Sequence, residues 1–458
     1  MDYTRKLSDF CASLKYESLP ADVVNKTKQC MLDFIANVYG SLELEAVKGA
    51  IDYIQSLGTG GTATALGCGF KTDIHNAAFI NGTTAEAIEA QDGLRFGGNH
   101  PGTAVIPAAL ALGDETGATG KDVIAAIVAG YEAANRAAAS MHPHHTLSGF
   151  LPTGTCGTIG AAVATGSLRE YGPEKMLNSL SNAGYLMPLS LAEQLMGGHT
   201  IKIVQGGQAA LAGMMAAGLA GVGLTGTPYM LEGTALEGGF TQITTKKTGG
   251  QPVFERITDR LGEHYSIMDI YFKPYTACRH THGSAQAVLE LNKEKEIDVG
   301  NIDKVDVFTY GIATIAVGKE MPDNGTIVSA QFSIPYVVAA CLMDGKLGPE
   351  QLTEKRLSDR KLIALSRKVH VSGDDELNKL YPGKTASRVK ITMKSGEAIQ
   401  KQVDIPIGDP RDPMDDSRLA EKVRLFSGSR NSKNVDEVIK VVMDLENLKN
   451  INDLTGII

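Results

Sequence analysis

Val123-Ile124-Ala125-Ala126-Ile127-Val128-Ala129-Gly130-Tyr131-Glu132-Ala133-Ala134 is the stretch on which the fold class turns. Apolar side chains recur in it at helical spacing, and the Ala and Gly among them let neighbouring helices approach closely. The same texture extends outward from Leu19 to about Met230. This half is therefore expected to be a helical bundle with few strands, its central helices buried on all sides. Ile203 to Leu231 carries no charge; Gln205, Gln208 and Pro228 interrupt it, and its Gly and Ala content leaves it too weakly apolar for a bilayer span. A closely packed buried helix is expected there.

Between about Tyr271 and Gln402 the pattern changes. Val305-Asp306-Val307-Phe308-Thr309-Tyr310 and Arg388-Val389-Lys390-Ile391-Thr392-Met393 alternate as half-buried strands do, with helical stretches from Ser284 to Lys293 and Ile334 to Met343 between them. An α+β second domain follows, its sheet covered by helices on one face. After the turn-rich Gly408-Asp409-Pro410-Arg411-Asp412-Pro413, helical periodicity returns from Ser417 to Leu448, in a tail expected to pack back on the first domain. The expected fold class is mainly α with a second α+β domain.

The 458 residues allow two or three domains, and 21% charged with 43% hydrophobic residues place the chain among globular proteins. Lys+Arg 44 against Asp+Glu 52 leave a net charge of −8. That balance argues against nucleic acid and anionic membrane as partners, and a small anionic substrate would need a local cluster of cations. Six cysteines (Cys11, Cys30, Cys68, Cys156, Cys278, Cys341) are scattered without C-x-x-C pairing or metal-like spacing, as in a reduced cytoplasmic protein. The polar opening, Met1 to Lys6, is followed by no apolar signal-peptide core. Gly58-Thr59-Gly60-Gly61 lacks the third glycine and the acidic partner of a dinucleotide site, and Gly120-Lys121-Asp122 lacks the hydroxyl residue of a phosphate loop. Met141-His142-Pro143-His144-His145 reads as a solvent-facing loop rather than a metal site. Neither cofactor nor metal is expected.

Four segments carry groups that can do chemistry. In the first, Glu86 and Glu89 share a helix face that Gly93 would end, and a Gly-rich loop leads through Asp92 and Arg95 to His100, ahead of a helix expected over Thr103 to Leu112. An imidazole at the positive end of a helix stays neutral and suits a general base; equally, the segment can be a capping loop with solvated acids. In the second, Lys202 is the last charge before the uncharged stretch and reads as an anion clamp, or as a lysine snorkelling at a helix start. The third, Phe272 to His282, gathers Lys273, Arg279, His280 and His282 around the thiol of Cys278 with no acid. It is either a basic island for an anionic ligand or a linker whose cations answer nearby acids, with Cys278 as a packing residue. The fourth, Thr153-Gly154-Thr155-Cys156-Gly157, opens a helix whose free N–H groups can hold an anion, although close packing explains its glycines as well.

Taken together, Met31-Leu32-Asp33-Phe34, Asn81-Gly82-Thr83, His100-Pro101-Gly102 with Pro107-Ala108, Pro152-Thr153-Gly154-Thr155, Phe272-Lys273-Pro274-Tyr275, Gln331-Phe332-Ser333-Ile334-Pro335-Tyr336 and Gly408-Asp409-Pro410 resemble, in order and spacing, the MmgE/PrpD family of polycarboxylate dehydratases, decarboxylases and epimerases. The resemblance runs nearly the whole chain. It implies a helical domain over 1–266, a smaller α+β lid over 267–404, and C-terminal helices over 405–458 that close the first domain. It also implies a homodimer with the site between the domains, and cofactor-independent chemistry on a small anionic di- or tricarboxylate. Carried over residue by residue, it makes His100, Lys202 and Lys273 catalytic, with Asp92 and Glu89 as the acids kept from an acidic cluster. Arg95, Thr153, Cys278, Arg279, His280 and His282 are expected around the substrate. The chain departs from the family pattern at Gln91, Leu151, Gln205 and Cys278, where an acid or a histidine is common.

Three functions follow as expectations. The first is a lyase in which His100 removes a proton next to a carboxylate, Lys202 and Lys273 stabilise the enolate, and Asp92 or Glu89 assists a leaving group. The second is an epimerase of a dicarboxylate such as iminodisuccinate, which needs no leaving-group acid. The third is a non-catalytic polycarboxylate-binding dimer.

Overall fold

The computed structural model describes residues 2–430 and 432–458. Its first half is built from α1 (Tyr3–Ser13), α2 (Ala21–Ser41), α3 (Glu45–Leu57), α4 (Ile74–Ala87), α5 (Gly102–Thr116), α6 (Gly120–Met141), α7 (Pro152–Leu168), α8 (Pro173–Leu186) and α9 (Gln205–Gly221). Local chemistry sets their ends. Asp73 accepts the N–H groups of His75 and Asn76 to start α4, Thr119 caps α6, and Pro152 and Pro173 sit in first turns where no N–H is needed. Gly117 closes α5 in the left-handed region (φ 66), so that helix outruns the expected Leu112.

Small residues bring these helices together as their spacing predicts. At the α6–α7 crossing, a Cβ on Gly130 would lie 2.8 Å from the Gly160 carbonyl oxygen, and one on Gly160 would lie 2.7 Å from that of Gly130. At Gly213, α9 crosses α7, where a Cβ would lie 2.6 Å from the Thr158 carbonyl oxygen; at Gly207 it meets α4, where a Cβ would run into the Phe79 carbonyl. Thr200–Gly221 is long and apolar enough to cross a membrane, with a mean hydropathy of 1.2 over an 18-residue window, and 67% of that window is buried in the protein.

Strands in this half are few and short. β1 (Ala63–Ala65) pairs with β2 (Phe70–Thr72), and β3 (Gly93–Leu94) pairs with β4 (Ile270–Tyr271), which ties the loop before His100 to the second half. There, β5 (Ile302–Thr309), β6 (Val369–Gly373), β7 (Ser387–Met393) and β8 (Ala398–Val403) form a mixed sheet in the order β6-β5-β7-β8, with only the β5–β6 pair parallel. The alternation of β5 and β7 sets the register: Val305 faces Ile391 and Val307 faces Val389, all fully buried. Helices α10 (His282–Lys295) and α11 (Ile334–Asp344) pack on this sheet. In the tail, α12 (Asp416–Phe426) and α13 (Ser432–Met443) lie against α2.

Candidate active site

Helix α4 carries one carboxylate and stops short of the second. Glu86 lies in its last turn, whereas Glu89 follows the helix in the left-handed region (φ 55). The helix face expected to hold both acids is therefore replaced by a tight turn, and Gly93, expected to end the helix, belongs to β3 instead. The carboxylates converge all the same. Lys202 Nζ donates to Glu86 Oε1 at 2.7 Å and also to Glu89 Oε2. Lys273 Nζ donates to Glu89 Oε1 at 2.7 Å and to the Glu89 carbonyl at 3.3 Å, while Gln205 Nε2 donates to Glu86 Oε1 at 2.6 Å. All four charged side chains are buried and their charges cancel. Lys202 is thus neither a snorkelling residue nor an unpaired clamp, and Lys273 does not lie in an acid-free island. Each ammonium still has one proton with no acceptor among the described residues. Burial pushes the Glu89 carboxyl up, but Lys202 and Lys273 outweigh it and hold the group well below the usual carboxylate range. Burial likewise lowers the Lys202 ammonium, and Glu86 and Glu89 reverse the sign and raise it.

His100 sits at the start of α5, as its Pro101 neighbour predicts. Its N–H donates to Thr153 Oγ1 at 3.0 Å, and its Nδ1 lies 2.6 Å from the Asp92 carbonyl oxygen. A carbonyl only accepts, so Nδ1 carries the proton and Nε2 the lone pair. Burial first, then the charge of Lys273, lowers the ring to about 3, so it is neutral at ordinary pH. Glycine at position 93 makes the room, since a Cβ there would lie 2.9 Å from His100 Nδ1. The Asp92 side chain is engaged elsewhere: Oδ1 accepts the Gly102 N–H at 3.1 Å and Oδ2 the Tyr131 hydroxyl at 2.6 Å. Burial and the nearby Asp33 raise its carboxyl to about 7. Asp33 is itself paired with Lys422 of α12, whose Nζ donates at 2.6 Å to Asp33 Oδ1 and at 2.6 Å to the Ala90 carbonyl.

Around this group stand Thr153, bonded to the His100 amide, and Cys278, whose thiol feels Glu89, Lys273 and Lys202 and is pushed up to about 11 chiefly by burial. His280 Nδ1 lies 2.6 Å from the Tyr310 hydroxyl, and burial, then Lys273, lowers the ring to about 4. Three other expected substrate contacts are taken up by main-chain carbonyls. Arg279 donates to Pro406 and Ile407 at 2.7 Å each, His282 Nε2 lies 3.0 Å from the Ala277 oxygen, and Arg95 reaches Pro382 and, at 2.7 Å, Gly383. These side chains hold loops of the second half in place. The His142–His145 tract is not solvent-facing as expected: His145 is buried, its Nε2 2.9 Å from Thr155 Oγ1. Among the described residues, no group of three or more His, Cys, Asp or Glu is arranged to hold a metal ion.

A cleft of about 250 Å³, bordered by Leu151, Leu191 and Ile201, opens on Lys202 and Gln205. A larger one of about 620 Å³, between Tyr185, Leu224, Leu236 and Ile243, contains none of the charged groups above, whereas the smaller reaches the cluster at Lys202. Sequence reasoning passed over Glu86 as the partner of Lys202, and over Tyr131, Asp33 and Lys422. Lys422 had a visible signal, because it shares its helix face with Leu419, Val423 and Phe426, where a charge has no place without a buried partner.

Sequence models of the MmgE/PrpD N-terminal domain and the MmgE/PrpD C-terminal domain match residues 5–251 and 275–447. The chain is 26% identical over 470 residues to the cis-aconitate decarboxylase of Aspergillus terreus, covering 98% of this chain and 94% of that protein. It is also 26% identical over 482 residues to the cis-aconitate decarboxylase-like protein oryM of Aspergillus oryzae, covering 99% and 97%. Matched in order by both domain models over most of its length, the chain belongs to the MmgE/PrpD family and is an enzyme of that type.

Proposed function

We propose that this enzyme is a lyase of the dehydratase/decarboxylase type that acts without a cofactor on a small di- or tricarboxylate, with His100 as the base that removes a proton next to a carboxylate. The observation that carries the reading is the His100 ring: neutral, its Nδ1–H fixed on the Asp92 carbonyl, its Nε2 free, beside two buried ammonium groups. Removing such a proton gathers charge on the carboxylate oxygens of an enolate, and the spare N–H on Lys202 and on Lys273 supply donors for that charge in a water-poor site. Relatives named for decarboxylation of cis-aconitate support the lyase class.

One observation favours the epimerase as a second reading. Glu89 gives both oxygens to lysines that keep it ionised, so it has no proton for a leaving group, and of the two only Asp92, itself bonded to Tyr131 and Gly102, can carry one. Epimerisation needs no leaving-group acid. For the assembly we propose a homodimer in which a second copy covers the apolar face of Tyr185 (94% exposed), Leu236 (90%) and Leu224 (50%). A monomer in sedimentation at micromolar concentration would remove that proposal.

The deciding experiment is proton NMR in D₂O, without added metal, on citrate, 2-methylcitrate, cis-aconitate, malate, tartrate and iminodisuccinate. A new vinyl signal or the loss of a carbon supports the lyase; deuterium entering next to a carboxylate with the skeleton intact supports the epimerase. A His100→Gln protein that turns over as fast as the parent would overturn both.

A further inference from the structure

The turn that carries Glu89 and Asp92 is held from outside the site by one buried ion pair. Lys422 projects from the tail helix α12 into the first half, 4% exposed, and spends two of its three protons on Asp33 Oδ1 and the Ala90 carbonyl. The same Asp33 carboxylate, which also accepts Asn37 Nδ2 at 3.1 Å, is faced by the main-chain amide of Asp92. Ala90 and Asp92 are thus both held by this pair. On the far side of the turn, the Glu89 carboxylate meets Lys202 and Lys273, and the Asp92 carbonyl takes the His100 Nδ1–H. Burying two charges to bond each other is a poor source of net stability, because desolvation offsets most of their attraction. A buried pair joined to one particular carbonyl does, however, fix the position of that carbonyl and its neighbours.

We infer that Lys422 is a positioning residue for His100: acting through Asp33 and the Ala90 carbonyl, it sets the Glu89–Asp92 turn so that the Asp92 carbonyl holds the imidazole in one tautomer, with Nε2 left as the base. The catalytic importance of this effect rests on the reading of His100 as the base, but the effect on the ring does not. The tail helix is then part of the active site although it contributes no group to the chemistry. Lys273 holds Glu89, and Tyr131 and Gly102 hold the Asp92 side chain, but among the described side chains Lys422 alone reaches the Ala90 carbonyl between them. Gln91, beside it, is 2% exposed and among the described residues neither its amide oxygen nor its nitrogen has a hydrogen-bond partner, so the Gln91 side chain does not lock the turn.

The test uses the full chain with ¹⁵N-labelled histidine and long-range proton–nitrogen NMR, the His100 signals being assigned by their loss in His100→Gln. In the parent protein His100 shows one neutral pattern, with the proton on Nδ1. Lys422→Met is expected to replace it with a mixture of the two tautomers, and Lys422→Arg, which keeps the charge, to retain more of the parent pattern. If Lys422→Met does not fold, Asp33→Asn/Lys422→Met removes the stranded carboxylate charge and is read in its place. An unchanged Nδ1–H pattern in either folded variant overturns the inference, as does loss of folding in both, which would make the pair a stability element alone. A His100→Gln protein that keeps full turnover would refute His100 as the base while leaving the tautomer comparison standing.

Discussion

Replacing Lys202 by Met should unbalance the lysine–glutamate cluster in a way that a second substitution repairs. Lys202 Nζ and Glu86 Oε1 are 2.7 Å apart. At an effective dielectric of about 20, that separation corresponds to roughly 6 kcal/mol of attraction. The methionine also relieves the desolvation of the ammonium, so the expected net loss is about 3–5 kcal/mol, the usual cost of stranding a buried charge. Counting charges identifies the stranded group. Two ammonium groups and two carboxylates become one and two; Glu89 keeps Lys273, and Glu86 is left with only the Gln205 amide. Adding Glu86→Gln brings the count to one and one, and should recover about 2–3 kcal/mol of the loss. Urea unfolding of the parent, both single variants and the double variant, followed by circular dichroism, completes the cycle. The reasoning fails if Lys202→Met unfolds within about 0.5 kcal/mol of the parent, or if the double variant is as unstable as the two single changes added together. Turnover should stay lost in the double variant, because charge balance restores the fold and not the donor.

Three further outcomes are expected. His100→Gln should slow deuterium uptake next to the substrate carboxylate by at least about a hundredfold while circular dichroism stays unchanged; uptake at the parent rate would refute its role. His100 (about 3), His142 (about 4), His145 (about 3) and His280 (about 4) are lowered from 6.5 mainly by burial, so the folded state refuses protons that the unfolded state takes. Their contribution is complete above pH 6.5 and falls from there to about pH 4 for His142 and His280 and to about pH 3 for His100 and His145, by up to about 1.4 kcal/mol per pH unit for each. Asp92, raised from 3.8 to about 7, binds its proton in the folded state and cancels about one of the four in that window. Urea midpoints measured at pH 7.5 and 5 should therefore drop with acid, and equal midpoints would contradict this account. Gly207→Ala places a methyl group against the Phe79 carbonyl and 2.6 Å from Thr83 Oγ1, and despite the better helix propensity of alanine should cost about 1–3 kcal/mol, read as a lower thermal midpoint.

The helical half was legible in sequence because its signal is local. The run around Gly130 shows both the period and the small residues that become the crossing with Gly160. His100 was legible for the same reason, since the proline after it forces a loop and a helix start. The charge pairing was not. Glu86 and Lys202 are separated by 116 positions, and no local pattern tells which acid meets which cation. Glu89 in a left-handed conformation defeats the helix-face reading, because that region favours glycine and asparagine and a glutamate there gives no warning. Arg279 looked like an anion ligand only because the carbonyls that absorb it lie over 120 positions further on.

The hydrogen bond from His100 Nδ1 to residue 92 has a consequence for how the site can diversify. The acceptor is a main-chain oxygen, and every amino acid supplies one. Position 92 therefore performs two separable tasks: its backbone selects the tautomer of the His100 ring, and its side chain sets the local charge and acidity. As long as the turn keeps its shape, a change of side chain there can alter the second task and leave the first intact. A scaffold arranged in this way can change its local acidity through single substitutions without disturbing the orientation of the imidazole.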